Sequence, residues 1–326
     1  MPGMPAPSSL SLPGPPPWLS VVVPTHDTRE LTLACLDSVA RSGSAGVEVI
    51  LVDDASRDGT ANAVAARWPE AVLLRHDQAA GFTRSANDGL ARARGEILLL
   101  LNSDTEVDPG GFEALRAAFD RDPRLGVAGA VLRYPDGSPQ WSGGRAPSLL
   151  WLFALSSGLP SLLARVPFYR RLKPLSPEEP GELDWVTGAA MAIRREAWEA
   201  VGPLDEGFRF YGQDLDLCLR IRQAGWGVEI APAFRVLHHH GATIGGHPGA
   251  SRRQHPELLW TDLLRWARKQ DEGWARRAAA ALRWGGRLRL AGRGLAGPFV
   301  SLAEKPAWRA ETASFRQALA ALREHR

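Results

Sequence analysis

Cysteine is almost missing from this chain of 326 residues: Cys35 and Cys218 are the only two, they lie far apart, and both fall in apolar helical patterns. That disfavours a disulfide scaffold or a cysteine-built metal framework, and each thiol reads as a small hydrophobe. The familiar nucleotide loops are missing too. No GxxxxGK[ST] occurs, and the turn "PTHDT" after the first strand-like run offers no glycine to a pyrophosphate. A single GxGxxG, Gly292 to Gly297, stands in a basic tail with Pro298 behind it and no strand–helix–strand unit around it, so it reads as a chance match. A P-loop enzyme and a dinucleotide dehydrogenase are therefore disfavoured. No stretch reads as a transmembrane helix; the closest, residues 146–164, is interrupted by Pro147, Gly158 and Pro160. The start, "MPGMPAPSSLSLPGPPPW", has no basic leader and is punctuated by prolines, which predicts a disordered Pro-rich tail over residues 1–18 rather than a signal peptide. No internal repeat and no Ser-His-Asp or Cys-His pattern is visible.

What is present is a soluble composition, 44% hydrophobic and 23% charged, with an uneven distribution of charge. Residues 251–326 hold 16 Lys+Arg against 7 Asp+Glu, and residues 1–250 hold 23 against 29. The basic end also carries Trp260, Trp266, Trp274, Trp284 and Trp308. Such an end fits an anionic surface, or equally a set of solvated amphipathic helices. Because Arg165, Arg170, Arg171 and Lys173 follow the apolar 146–164 stretch, that stretch reads either as an interfacial segment or as a buried helical hairpin.

From Leu19 the pattern alternates strand and helix: "LSVVV", a capping-box start at Asp27 to Glu30, "VEVILV", "AVLLR", a helical "RSANDGLARA", then "GEILLLLNSDTEVD". An unbroken aliphatic run such as Ile97 to Leu101 fits a strand covered on both faces. The fold class that follows is α/β, a Rossmann-like doubly wound, mostly parallel sheet. Further on, "DWVTGAAMAIRR" reads as a strand, "DLDLCLRIRQAG" as a helix ending at Gly225, "WGVEIAP" and "FRVLHHH" as two short strands, and the remainder as helices.

Polar groups recur where strands end: Thr25, then Asp53 with Asp54, then Asn102, Ser103 and Asp104. Open α/β sheets bind ligands at these carboxyl ends, so three neighbouring strands would bring the groups to one crevice. Loop and helix-capping roles explain Asp104 and Asp108 equally well when that segment is taken alone. An oxygen-rich crevice suits a hard divalent ion, Mg2+ or Mn2+, held by one or two carboxylates and the oxygens of a diphosphate.

The ordered motifs "VVVPTHDTRELTLACLDSV", "VILVDDASRDGT", "GFTRSANDGLARARGEILLLLNSDTEVDPGGF", "WVTGAAMAIRREAWEAVGPLDEGF", "QDLDLCLRIRQAGW" and "VLHHHGAT" together resemble the inverting glycosyltransferases of family 2, whose fold is GT-A. The resemblance runs from about Leu19 to Thr243 and is greatest to bacterial rhamnosyltransferase-type members. It implies a GT-A catalytic domain over residues 19–250, followed by a basic, tryptophan-containing helical extension over 251–326. It also implies nucleotide contacts from Thr25, Asp53, Asp54, Gly81, Asn87, Asn102 and Ser103, with a carboxylate accepting from the N3–H of uracil or thymine. Asp104 and His238 would hold the metal, Asn102 standing where the family's first metal-site acid usually is. Asp214 would be the catalytic base, kept ionised by the start of its helix. Gln213, in place of the family's usual Glu, would touch the acceptor, and Gly188 and Ala189 would pack against the donor sugar.

The expected reaction is direct, inverting displacement from a UDP- or dTDP-sugar to a hydroxyl of a saccharide or polyprenyl-diphosphate-linked acceptor, in cell-envelope polysaccharide synthesis. The expected place is cytoplasmic, with peripheral contact to an anionic membrane face left open and no nucleic-acid partner. Two alternatives remain: a nucleotide-sugar-binding module without turnover, for which Gln213 is the support, and a sugar-nucleotide pyrophosphorylase, for which "PTHDTRE" is a poor triphosphate loop.

Overall fold

The computed structural model of the protein describes residues 16–43, 45–159, 183–239 and 255–324. Its centre is an eight-stranded sheet of strands β1 (Leu19–Thr25), β2 (Val47–Asp53), β3 (Val72–Arg75), β4 (Ile97–Leu101), β5 (Thr105–Val107), β6 (Leu125–Arg133), β9 (Ala190–Arg194) and β10 (Gly227–His238), in the order β3-β2-β1-β4-β9-β6-β10-β5. The two short strands β7 (Gly143–Gly144) and β8 (Trp185–Val186) pair separately. Parallel pairing joins β3, β2, β1 and β4, and again β6 and β10, while β9 and β5 run antiparallel to their neighbours.

The unbroken apolar runs have the cause that their composition predicted. Ile97, Leu99 and Leu101 enter the core under α1 (Arg29–Arg41) and α4 (Gly111–Arg121), while Leu98 and Leu100 enter the opposite core under α3 (Phe82–Arg92). Both faces of the strand are covered, so neither needs polar residues. The first core also takes in Val64 of α2 (Thr60–Arg67), and the second takes in Ala197 of α6 (Arg195–Val201) and Leu217, Cys218 and Ile221 of α7 (Gln213–Gln223). Cys35 and Cys218 are fully buried, and burial pushes both thiols up to about 12, as suits packing groups rather than nucleophiles.

A third apolar cluster joins α5 (Leu149–Ser157) to α8 (Pro256–Gln270), α9 (Glu272–Ala296) and α10 (Lys305–Glu324). It includes Leu152, Phe208, Leu215, Trp260 and Phe315, which ties the C-terminal helices to the sheet domain. Among the described residues no helix is long and apolar enough to cross a membrane. The tail up to residue 15, the basic residues Arg165 to Lys173, and His240 lie outside the described residues.

Several local expectations change. The capping box at Asp27 does not form: Thr28 is the N-cap without a side-chain bond, and Asp27, at φ 49°, accepts from the Arg57 N–H at 2.6 Å. The Thr28 hydroxyl is drawn instead into a buried chain with Thr25 and Ser103. The "DWVTGAAMAIRR" strand is two strands, β8 and β9, separated at Thr187–Ala189. "WGVEIAP" and "FRVLHHH" form one strand, β10, with its irregularity between Ala231 and Arg235.

Candidate active site

The chain steps from β1 to β2 in one direction and places β4 on the other side of β1, so the carboxyl ends of β1 and β4 flank a topological switch point. A cavity of about 890 Å3 opens there. Its floor holds Thr25, Asn102, Ser103 and Asp104, joined by hydroxyl contacts of Thr25 with Thr28 at 2.9 Å and of Thr28 with Ser103 at 3.0 Å. The Asn102 N–H donates to the Ala189 carbonyl at 2.9 Å, while its buried side-chain oxygen has no partner among the described residues. A buried acceptor left open in this way calls for a donor from a ligand or water.

Asp104 meets His238 through strand register. Thr105, the first residue of β5, pairs with His238 at the end of β10, and the His239 N–H donates to the Asp104 carbonyl at 2.9 Å. His238 Nε2 consequently lies 3.3 Å from a carboxylate oxygen of Asp104, both side chains buried. On the far side of the ring, Nδ1 is 2.7 Å from Gln140 Oε1. An amide oxygen can only accept, so Nδ1 donates to Gln140, and Nε2 is the ring nitrogen turned toward the carboxylate. This is how proteins hold a metal-ligating histidine, with the second nitrogen fixed by a hydrogen bond.

No third His, Cys, Asp or Glu joins the pair among the described residues. One carboxylate and one imidazole on a cavity wall fit a Mg2+ or Mn2+ ion that completes its shell with diphosphate oxygens and water; a structural zinc site would need two more side chains. His239 instead faces Glu106 at 3.0 Å.

Asp214 lines the same cavity. Gly212 takes a left-handed φ of 88° that few other residues adopt, and Gln213 and Asp214 open α7 immediately after it. The Asp214 carboxylate accepts from the Gly188 N–H at 3.0 Å and the Leu215 N–H at 2.8 Å. Burial raises its pKa above the ordinary 3.8, and those N–H groups only partly offset the rise. Burial is the largest influence on this carboxyl, ahead of the N–H groups that meet it at the helix start. Gln213 is buried, gives its amide nitrogen to the Phe210 carbonyl at 3.2 Å, and leaves its side-chain oxygen without a partner on the cavity wall. Asp216 points away, to Arg220 at 2.9 Å and Lys269 at 2.6 Å.

The acids after β2 act less directly than expected. Asp54 lines the cavity, but its oxygens are taken by the N–H groups of Ala80 (2.7 Å) and Gly81 (2.8 Å) and by His76 (2.8 Å). Burial opposes ionisation of Asp54, yet these donors together hold its pKa below the usual range. It therefore shapes the 79–82 loop, where Gly81 sits at φ 90° ahead of α3. Asp53 is fully buried behind the wall, with one oxygen 3.4 Å from Arg75 Nε and short of a hydrogen bond. Asn87 is not on the wall either. Its amide clasps Leu204, donating to the carbonyl and accepting from the N–H, both at 2.9 Å.

Sequence reasoning missed the other half of the cavity. Trp141, Trp151, Leu155, Trp185, Phe210 and Tyr211 line it, with Leu259 and Leu263 of α8. Trp141 and Trp185 meet edge to face at 4.9 Å, and Phe210 and Tyr211 at 4.8 Å. Asp262 of α8 fixes the 209–211 segment by accepting three backbone N–H bonds, from Arg209, Phe210 and Tyr211, at 2.9–3.2 Å. Arg145 is the one arginine or lysine among the described lining residues. His26 and Gln140 were missed as well, and neither carries a spacing that announces it. The "WVTGAA" and "FYGQD" motifs were the nearest available signals.

The structure resembles the mannosyltransferase PcManGT of Pyrobaculum calidifontis in complex with GDP-Man and Mn2+, with a TM-score of 0.57 and 18% identity over 94% of this chain and 86% of that one. It also resembles GalNAc-T7 with UDP, GalNAc and Mn2+, with a TM-score of 0.52 and 17% identity over 90% and 55% of the two chains. The fold is thus that of the GT-A glycosyltransferases. The model for "Glycosyl transferase family 2" matches residues 20–201, and the chain belongs to that family. The N-acetylglucosaminyl-diphospho-decaprenol L-rhamnosyltransferase of Mycobacterium tuberculosis is 31% identical over 286 residues, 82% of this chain and 88% of that protein. The O-antigen biosynthesis protein RfbC of Myxococcus xanthus is 31% identical over 70% of this chain, which spans 18% of its length. The protein is a glycosyltransferase.

Proposed function

We propose that the protein transfers a rhamnosyl-type sugar, with inversion, from a UDP- or dTDP-linked donor to a hydroxyl of a polyprenyl-diphosphate-linked N-acetylglucosamine acceptor. The observation that supports this reading is the chemical division of one cavity. Asp104, His238 and the open Asn102 oxygen occupy a polar floor, aromatic and aliphatic side chains form the facing wall, and Asp214 sits on the same lining. The activity that names the mycobacterial relative suggests the sugar and acceptor class.

In this reading the base of the donor lies against Thr25, His26 and the 79–82 loop, with Asp54 holding that loop and Asp53 and Asn87 bracing from behind. Asp104 and His238 would hold Mg2+ or Mn2+, and such an ion would supply positive charge beside the departing diphosphate. Gly188 keeps the space beside the donor sugar open, since an added Cβ would stand 3.7 Å from Asp214 Cβ, and Ala189 continues that surface. The open oxygen of Gln213 accepts from the acceptor sugar, and Asp214 takes the proton from the attacking hydroxyl. Burial raises its pKa above the ordinary 3.8, which makes the carboxylate a stronger base than an exposed one. Arg145 faces the acceptor's own diphosphate, and the aromatic wall faces its N-acetylglucosamine and first isoprene units. The work takes place on the cytoplasmic side, in assembly of a cell-envelope polysaccharide.

The test is a transfer assay with dTDP- and UDP-sugars and a short-chain polyprenyl-diphosphate N-acetylglucosamine, with metal stripped and then restored. The expected product has an inverted anomeric centre and forms only with metal. Donor binding without release from any donor would favour the binding-module alternative. Formation of a nucleotide sugar from a sugar phosphate and a nucleoside triphosphate would favour the pyrophosphorylase.

A further inference from the structure

Helix α9 is built with its amphipathicity reversed. Its inward face is small: Ala275, Ala278, Ala279, Gly285 and Gly286 are buried along with Leu282. Glycine is required there by close approach, since an added Cβ at Gly285 would come within 2.0 Å of Ser156 Oγ on α5. The large apolar residues face outward instead. Trp284 is 64% exposed, Leu288 46% and Leu295 78%, and just past the helix Phe299 is 90% and Leu302 83% exposed. Trp284, Leu288 and Leu295 recur at helical spacing on one stripe, and Arg277, one heptad before Trp284, begins the same stripe.

The charge on this element has a single sign. From Gly273 to Ala303 there are six arginines, no lysine and no acidic residue. Two of the six are committed inward: Arg289 lies over the Phe315 ring, and Arg293 pairs with Glu311 at 3.1 Å. Arg276 pairs at 3.5 Å with Glu272, which is itself exposed. Arg277, Arg283 and Arg287 make no ion pair with a described residue, and Arg287 packs over the Trp284 ring at 5.1 Å. An outward tryptophan and leucines flanked by unpaired arginines form the pattern of a helix lying in the headgroup layer of an anionic bilayer.

We propose that the outer face of α9 and the turn after it, from Arg277 to Leu302, is a membrane-docking surface for anionic phospholipid. Arg277, Arg283 and Arg287 bind headgroup phosphates, and Trp284, Leu288, Phe299 and Leu302 enter the acyl boundary. The face is separate from the cavity. Helix α5 lies between them, with Trp151 and Leu155 on the cavity and Ser156 against Gly285. Docking would hold the acceptor wall near the leaflet that supplies a lipid-linked substrate. The surface itself does not depend on the acceptor assignment.

Co-sedimentation of the full chain with phosphatidylcholine vesicles, with or without 30 mol% phosphatidylglycerol (roughly physiological anionic content), tests it. The expected result is binding to the anionic vesicles alone, weakening as salt rises. The variant Trp284→Glu/Phe299→Glu should bind at least roughly tenfold more weakly, and Arg277→Glu/Arg283→Glu/Arg287→Glu should lose the salt-dependent part. Both variants should keep wild-type thermal unfolding and wild-type transfer to a water-soluble acceptor, because every changed residue lies off the cavity. Absence of wild-type binding to anionic vesicles at low salt would overturn the proposal. So would equal binding by folded variants, or a wild-type dimer that Trp284→Glu converts to monomer without any vesicle binding.

Discussion

The floor and the wall of the cavity are built by different means. The floor consists of strand ends, where position is set by hydrogen-bond register: Asp104 and His238 meet because Thr105 pairs with His238, and Asn102 is fixed by Ala189. The wall consists of loops, helices and the two-residue strand β8, held by a few buried acids such as Asp262 and by ring contacts. A ladder fixes atoms closely enough for metal and proton chemistry, whereas packed aromatic rings tolerate variation in what they bind. The floor can therefore serve a reaction common to many members, and the wall can serve one acceptor. Substitutions in the two regions should then differ in kind.

The largest effect should come from Asp214→Asn, which removes the base but keeps an acceptor for the Gly188 N–H. A fall in kcat of roughly 100- to 10,000-fold is expected, with donor and Mn2+ affinity unchanged. In the wild type, activity should fall with acid through a pKa above the ordinary 3.8, because a raised carboxyl regains its proton sooner as pH drops. An unchanged kcat in the variant would move the base elsewhere.

Next in size is Gln140→Leu. Losing the group that fixes the His238 ring should weaken Mn2+ binding about 10- to 100-fold, read by calorimetry. Trp185→Ala should come third, with KM for the acceptor rising about tenfold and donor KM unmoved, consistent with loss of one aromatic contact. A matching rise in donor KM would erase the distinction between floor and wall.

The smallest effect belongs to His76→Ala, behind the floor. The Asp54 hydrogen bond, ahead of the opposing effect of burial, raises His76 above 6.5, and Asp54 is itself held below 3.8. The stabilisation that His76 contributes is full below pH 6.5 and is lost as pH rises through its raised pKa. The part due to Asp54 is present above 3.8 and lost as pH falls through its lowered pKa. Wild type should therefore exceed the variant by about 1 kcal/mol between those limits and by less above neutrality, measured by denaturant unfolding.

How much of this was legible in the sequence follows the same division. The sheet was readable because an unbroken run such as Ile97 to Leu101 fits a strand covered on both faces, and the polar groups at the ends of β1, β2 and β4 inherit their position from the sheet. Asp104, His238, Gly188 and Asp214 came together at one cavity for that reason. The roles of Asp53, Asp54 and Asn87 were less legible, since whether a buried acid or amide faces a ligand or its own loop depends on N–H groups such as those of Ala80 and Gly81. The wall was hardly legible. Trp141 and Tyr211 come from irregular segments, Trp185 from the two-residue strand β8, and Asp262 acts across more than 50 residues of sequence, so no periodicity marks them. Residues 146–164 read either as an interfacial segment or as a buried hairpin, and their described part, α5, packs against α9 and lines the cavity.

The most direct test is electron-nuclear double resonance of Mn2+ bound to the protein with dTDP or UDP. The account predicts an imidazole 14N coupling and a diphosphate 31P coupling on the same ion, with His238→Gln abolishing the nitrogen signal and retaining the phosphorus one. A phosphorus signal with no 14N coupling in the wild type, or a nitrogen coupling unchanged by His238→Gln, would contradict it.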